Sequence, residues 1–261
     1  MRYTPKLPKE GINTPKENFL FSFFKLILSL VVSIIVFYII ITIAINMAIS
    51  YLPNSYEKKL VYFIRNHMNF KKYEPNRYLQ NIVNKMQKCS KIPYKVKIYT
   101  EETGKINAFA LPSGEILITS ALLKKMKNEN ELAFVIGHEL GHLKHRDNFK
   151  DFTKALIFSS ISLFLGDEYR QILYSTLDIT KSRYSQSQEL NADRFGIDRV
   201  ACAYGGVNGA DQFFESMKKK DNWTYILSDH PDFQKRIKEM KKRIRAKNYN
   251  TKNALLPIST H

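Results

Sequence analysis

Two histidines four residues apart inside an apolar run leave little choice of local structure. Ala133-Phe134-Val135-Ile136-Gly137-His138-Glu139-Leu140-Gly141-His142-Leu143 contains the only acidic residue of the run at Glu139. At 3.6 residues per turn, positions i and i+4 share a helix face, so both imidazoles point the same way and can grip one divalent ion. Glu139 is then within reach of a water on that ion and suits a general base. Asn128, Asn130 and Glu131 offer a polar start to this helix; Leu132, Val135, Ile136, Leu140 and Leu143 give it an apolar stripe.

A catalytic zinc takes three protein ligands and keeps one position open. Spacing tests where the third ligand lies. A metzincin pattern needs Gly and His at positions 145 and 148, which hold His145 and Asn148. A glutamate about twenty residues on would fall at Ile161 or Ser162, inside the apolar segment 156–165, which offers no carboxylate. The next candidate is Glu189, in Ser185-Gln186-Ser187-Gln188-Glu189-Leu190-Asn191-Ala192-Asp193. Glu189 and Asp193 share a helix face, so Glu189 can bind the metal while Asp193 hydrogen-bonds the far nitrogen of a ligating His.

Four segments in order then carry a resemblance: Asn107-Ala108-Phe109-Ala110-Leu111-Pro112 with Ile116-Leu117-Ile118-Thr119, His138 to His142, Glu189 to Asp193, and His230-Pro231-Asp232 with Arg236-Ile237. Over roughly residues 70 to 245 the chain resembles the zinc metallopeptidase family that contains HtpX and the CAAX prenyl proteases (peptidase family M48). The resemblance implies His138, His142 and Glu189 as ligands of one Zn²⁺ per chain, Glu139 as base, and Asp193 as the partner of a ligand. It also implies that His230 lies near the metal, as a contact to it or as a stabiliser of the oxyanion. Its expected substrates are peptides and proteins, chiefly unfolded or misassembled membrane and envelope proteins, held in extended form along an edge strand. A prenyl-protein substrate does not suit a chain with a single span.

That span is Leu26 to Ile49, which contains no charged residue. At about 1.5 Å per residue it reaches about 36 Å, enough for the roughly 30 Å hydrocarbon core with some tilt. It is longer than the apolar core of a signal peptide, so an uncleaved anchor is expected. Five Lys and Arg precede it (Arg2, Lys6, Lys9, Lys16, Lys25) and three follow closely (Lys58, Lys59, Arg65). The bias favours a cytoplasmic N-terminus, which in a bacterium puts the catalytic part in the periplasm. The net charge of +17 fits attraction to anionic lipid; no nucleic-acid motif accompanies it, and no nucleic-acid partner is expected.

The expected organisation is a flexible tail (residues 1–18), an anchor (19–52), a metallopeptidase domain (53–245) and a polar, poorly ordered C-terminal tail (246–261). Residues 55–90 read as mainly helical, Val96 to Tyr99 as a strand, and Asn107 to Thr119 as two strands joined at Pro112-Ser113-Gly114. Residues 155–165 are too short to span a bilayer and read as a core helix, with a membrane-apposed helix as the alternative. The fold class is α+β: a mainly helical zincin-type domain with a small sheet, behind one transmembrane helix. Cys89 and Cys202 lack metal-ligand spacing; they either pair in an oxidising compartment or stay free, and free buried thiols are the expectation.

The leading functional expectation is a membrane-anchored zinc metalloendopeptidase of envelope protein quality control. The alternative is a membrane-tethered zinc protein that binds misfolded chains without cutting them. Metal binding alone gives no reason for Glu139, which favours the enzyme.

Overall fold

The computed structural model describes residues 18–51, 53, 73–92, 95–112, 114–151, 153–154, 184–210, 212–213, 230 and 233–259. The expected N-terminal tail up to residue 17, the helical reading over 55–72 and the apolar stretch 155–165 lie outside the described residues. The chain divides into two compact units, Met1–Ser50 and Tyr51–His261.

The described residues of the first unit lie almost entirely in helix α1 (Phe19–Tyr51), whose only charged residue is Lys25. Leu28, Leu30, Ile34, Phe37 and Ile40 stand exposed around it. The hydroxyls of Ser29 and Ser33 donate back to the carbonyls of Leu26 and Ser29. A helix that ties these hydroxyls to its own carbonyls and presents aliphatic side chains outward suits hydrocarbon. Among the described residues it is the one helix long and apolar enough to cross a membrane.

The second unit holds a four-stranded sheet of β1 (Glu74–Pro75), β2 (Lys97–Glu101), β3 (Ala108–Leu111) and β4 (Glu115–Thr119), in the order β1-β2-β4-β3. β2 and β4 are parallel; the other pairs are antiparallel. β4 is buried along its whole length, as a central strand should be. The expected turn before β4 is present, with Gly114 in the left-handed region at φ 87°. β3 is an edge strand. In an antiparallel pair, residues alternate between exchanging both backbone bonds and exchanging none. Thr119 N–H donates to Asn107 C=O, so Asn107, Phe109 and Leu111 face β4. Ala108 and Ala110 turn their N–H and C=O outward.

The helices of this unit are α2 (Arg77–Gln87), α3 (Ser120–Leu123), α4 (Glu129–His145), α5 (Gln186–Tyr204) and α6 (Phe233–Ala246). In α2, inside the stretch expected to be helical, Leu79, Ile82, Val83 and Met86 form a buried apolar stripe, and the Asn76 side chain caps its start. α4 begins under an Asn128 cap and is buried from Asn130 to Leu143, so it runs through the core between the sheet and α5. Its contact with α5 is glycine-based. A Cβ on Gly141 would lie 2.7 Å from Ala192 Cα, and one on Gly137 would lie 3.0 Å from Gly196 Cα. The two backbones therefore touch where the histidine motif sits.

Two expectations are corrected. Cys89 and Cys202 form a disulfide that ties the end of α2 to α5, their Cα atoms being 6.1 Å apart; their separation of 113 residues in the chain hid that proximity. The C-terminal segment is built into the domain. Val207 N–H donates to Asn250 C=O at 2.7 Å and Glu129 N–H to Leu256 C=O at 2.8 Å. Asn130 bonds Ala254 C=O and Leu256 N–H, while Asn208 bonds Asn253. The segment's polarity reflects this pairing: it covers donors at the start of α4 that would otherwise be orphaned.

Asp198 of α5 anchors the approach to that segment. It accepts from Arg243 at 2.7 and 2.5 Å and from Tyr249 Oη at 2.7 Å. Burial raises its pKa, but these donors outweigh burial and hold it below the ordinary 3.8. A depressed carboxyl stabilises the fold above its unfolded pKa, and the contribution disappears as pH falls through the folded value. Asp198→Asn should therefore lower the thermal midpoint at neutral pH and lose that effect below about pH 4. Gly141→Ala should destabilise by about 1–3 kcal/mol through overpacking; an unchanged midpoint in calorimetry would contradict the backbone contact.

Candidate metal centre

His138 and His142 rise from one face of α4, as their spacing predicts. α5 brings Glu189 against them, and His230 enters just ahead of α6. One donor atom from each of these four residues lies within 4.8 Å of the other three, and all four side chains are buried. His138 Nε2 is 3.0 Å from His142 Nε2. Glu189 Oε2 is 3.7 Å from the first and Oε1 is 3.5 Å from the second. His230 Nδ1 lies 2.8 Å from Glu189 Oε1 and 3.3 Å from His138 Nε2.

The far nitrogens decide what this cluster can hold. His138 Nδ1 faces Asp193 Oδ1 at 2.9 Å, and His142 Nδ1 faces Asp147 Oδ2 at 3.1 Å. Ionised carboxylates only accept, so each Nδ1 carries the proton and each Nε2 presents a lone pair. Two lone pairs 3.0 Å apart repel unless a proton or a metal ion stands between them. Nitrogens bound tetrahedrally at about 2.0–2.1 Å from zinc would be about 3.3 Å apart, close to the spacings seen. Glu139 Oε2 and Glu189 Oε2 are buried acceptors with no hydrogen-bond donor; Arg236 Nη1 approaches the latter at 2.6 Å only as an ion-pair contact. The donor set fits a metal.

The electrostatics agree. Burial drives His138 down to about 4. Burial also opposes charge on His142, yet its bonds to Asp147 and Glu189 raise it to about 10. The surroundings thus favour one positive charge inside the cluster. Burial works against ionised Glu189 too, but His230, Arg236 and His138 hold it well below the usual carboxylate range. Glu139 differs: burial wins and raises its pKa. It points toward β3, where it takes a backbone hydrogen bond from Ala110, and its Oε1 is 3.9 Å from His230 Nε2. A small apolar pocket lined by Ala108, Phe134, Val135 and Phe213 opens beside His138, Glu139 and His230.

All six residues singled out from sequence (His138, Glu139, His142, Glu189, Asp193 and His230) meet at this one place. Three neighbours were missed as participants. Arg236 clamps Asp193 with Nε and Nη2, each at 2.7 Å; its signal was a charge on the otherwise apolar stripe Phe233, Ile237, Met240 of α6. Asp147 follows the end of α4, where Arg146 turns the chain in the left-handed conformation at φ 59°. No helical spacing links it to His142. Tyr184 stacks on the His142 ring, 3.8 Å between centroids and 13° between planes; nothing in the sequence marked it. Removing the orienting carboxylate with Asp147→Ala should weaken metal binding by about 10–100-fold, measurable by competition with a chromophoric chelator.

Comparison with known proteins bears on the same residues. The model of peptidase family M48 matches residues 74–244, which include the whole cluster. The mitochondrial metalloendopeptidase OMA1 of Arabidopsis thaliana is 34% identical over 137 residues, 51% of this chain and 28% of that protein. A putative beta-barrel assembly-enhancing protease of Vibrio cholerae is 27% identical over 193 residues, 65% of this chain and 39% of the relative. Metalloprotease LoiP of Escherichia coli is 27% identical over 164 residues, 59% and 64% respectively. The chain thus matches less than two thirds of the length of each. A buried set of histidines and a glutamate on two touching helices, inside a match that covers most of the second unit, places this chain in peptidase family M48.

Proposed function

We propose that the protein is a membrane-anchored zinc metalloendopeptidase. The observation that carries this reading is the pair of opposed imidazole lone pairs with Glu139 buried beside them. His138, His142 and Glu189 would hold the zinc, one ion per chain. When bound there, zinc supplies Lewis acidity that polarises a peptide carbonyl and acidifies water. Glu139 takes a proton from the attacking water and passes it to the leaving nitrogen; its raised pKa suits a group that must both accept and return a proton. His230, with its ring beside Glu139, stabilises the oxygen that gains charge. Asp193 and Asp147 keep the two imidazoles in the tautomer that presents Nε2, and Arg236 holds Asp193 in place. No covalent acyl-enzyme forms, since the nucleophile is water.

The outward edge of β3 receives substrate in extended form through backbone pairing. Residues 19–52 serve as the anchor, with the N-terminus cytoplasmic and the peptidase domain, from residue 53, outside the cytoplasm. The Cys89–Cys202 disulfide supports an oxidising compartment. Substrates are unfolded or misassembled membrane and envelope proteins; the relatives' names, a metalloendopeptidase and a putative beta-barrel assembly-enhancing protease, agree with that class. Basic side chains contact anionic lipid, and no nucleic acid is involved.

Purified full-length protein in detergent should cleave an unfolded protein such as reduced casein, lose activity to a chelator and regain it with zinc. Glu139→Gln should lower the rate by about 10²–10⁴-fold while retaining zinc by elemental analysis. Activity that survives both chelation and this substitution would sink the proposal.

A further inference from the structure

Asn148 lies outside the cluster and carries no charge, yet it is only 3% exposed and sits between two halves of the site. The left-handed turn at Arg146 puts it there, one residue past Asp147. Its Nδ2 donates to Ala110 C=O at 2.5 Å and to Tyr184 Oη at 2.6 Å. The reverse amide orientation would set Oδ1 against the Ala110 carbonyl, acceptor on acceptor. Oδ1 itself is buried and makes no hydrogen bond, so the side chain is held through its nitrogen alone.

Both of its acceptors belong to groups that touch the machinery. Ala110 gives its backbone hydrogen bond to Glu139. The N–H and C=O of one strand residue point to the same side, so a donor that fixes the carbonyl also fixes the N–H. Tyr184 lies flat against the His142 ring. On the outward edge of β3, Ala110 is thereby occupied on both polar groups, and Ala108 N–H is bonded to the Asn107 side chain. The carbonyl of Ala108 lies on the same outward edge, and the residue lines the apolar pocket.

We infer that Asn148 is a positioning residue for hydrolysis: through Ala110 it places the Glu139 carboxylate, and through Tyr184 it sets the plane of His142. It also closes the edge strand at Ala110, so that a docked peptide pairs at Ala108. The inference rests on Glu139 being the base.

The test uses zinc-loaded full-length protein and a fluorogenic peptide that resolves kcat from KM. In Asn148→Ala, kcat should fall about 10–100-fold, the range for lost orienting partners. KM should stay within about threefold, because placement of the base acts on the transition state rather than on binding. Zinc content and thermal midpoint should match wild type. A folded, zinc-loaded Asn148→Ala with wild-type kcat overturns the inference, as does a rise in KM alone. If that variant loses zinc or its unfolding transition, Asn148→Gln decides, since it keeps the amide but displaces it by one methylene. Reduced kcat there with zinc retained supports the role. Wild-type kcat, or loss of zinc or fold in both variants, overturns it. Glu139→Gln assayed in parallel separates the two readings: full activity in that variant removes the base itself, whatever Asn148 does.

Discussion

The approach of α4 to α5 at van der Waals contact between their backbones underlies everything else in the site. Gly137 and Gly141 on one helix meet Ala192 and Gly196 on the other, with no room for a further Cβ. That contact sets Glu189 within 3.5–3.7 Å of two imidazole nitrogens and Asp193 at 2.9 Å from a third. Larger residues would push α5 outward, and the carboxylates would move out of reach of the nitrogens they serve. The histidine motif therefore does two jobs: it supplies two imidazoles able to bind a metal, and through Gly141 it admits the helix that brings the rest.

Charge is then arranged in shells around that contact. Four groups able to bind metal converge, and nearly every other polar group nearby serves to aim them. Asp193 and Asp147 each hold one ring nitrogen, and Arg236 neutralises Asp193 and Glu189 together from a position that is 2% exposed. Burying two carboxylates and a guanidinium is costly unless each is paired, and here Arg236 pairs with both carboxylates. Glu139 Oε2, which has no donor, lies where chemistry would need an open acceptor.

Much of this was legible in the chain. The i, i+4 spacing of His138 and His142, and of Glu189 and Asp193, gave their shared faces; the apolar stripe at Leu79, Ile82, Val83 and Met86 gave α2; the Pro112 to Gly114 turn gave the hairpin. These are local, because helix and strand periodicity is a property of neighbouring residues. What stayed hidden depends on distant segments meeting. The parallel β2–β4 pair, the Cys89–Cys202 bridge and the C-terminal segment laid over the start of α4 all join residues far apart in sequence. The polar tail read as poorly ordered because its asparagines find their partners only in the folded domain.

By itself the sequence determined which atoms are available and how they repeat: a helix with two imidazoles on one face and a glutamate between them, a second helix with paired carboxylates, and an apolar segment long enough to cross a bilayer. Local geometry follows from backbone stereochemistry, which every segment carries within it. Only the tertiary structure decided that Arg236, Asp147, Tyr184 and Asn148 stand around those atoms, and that β3 turns Ala108 and Ala110 outward beside them. Those placements come from packing and strand register, which depend on the whole domain at once and leave no periodic trace in any one segment.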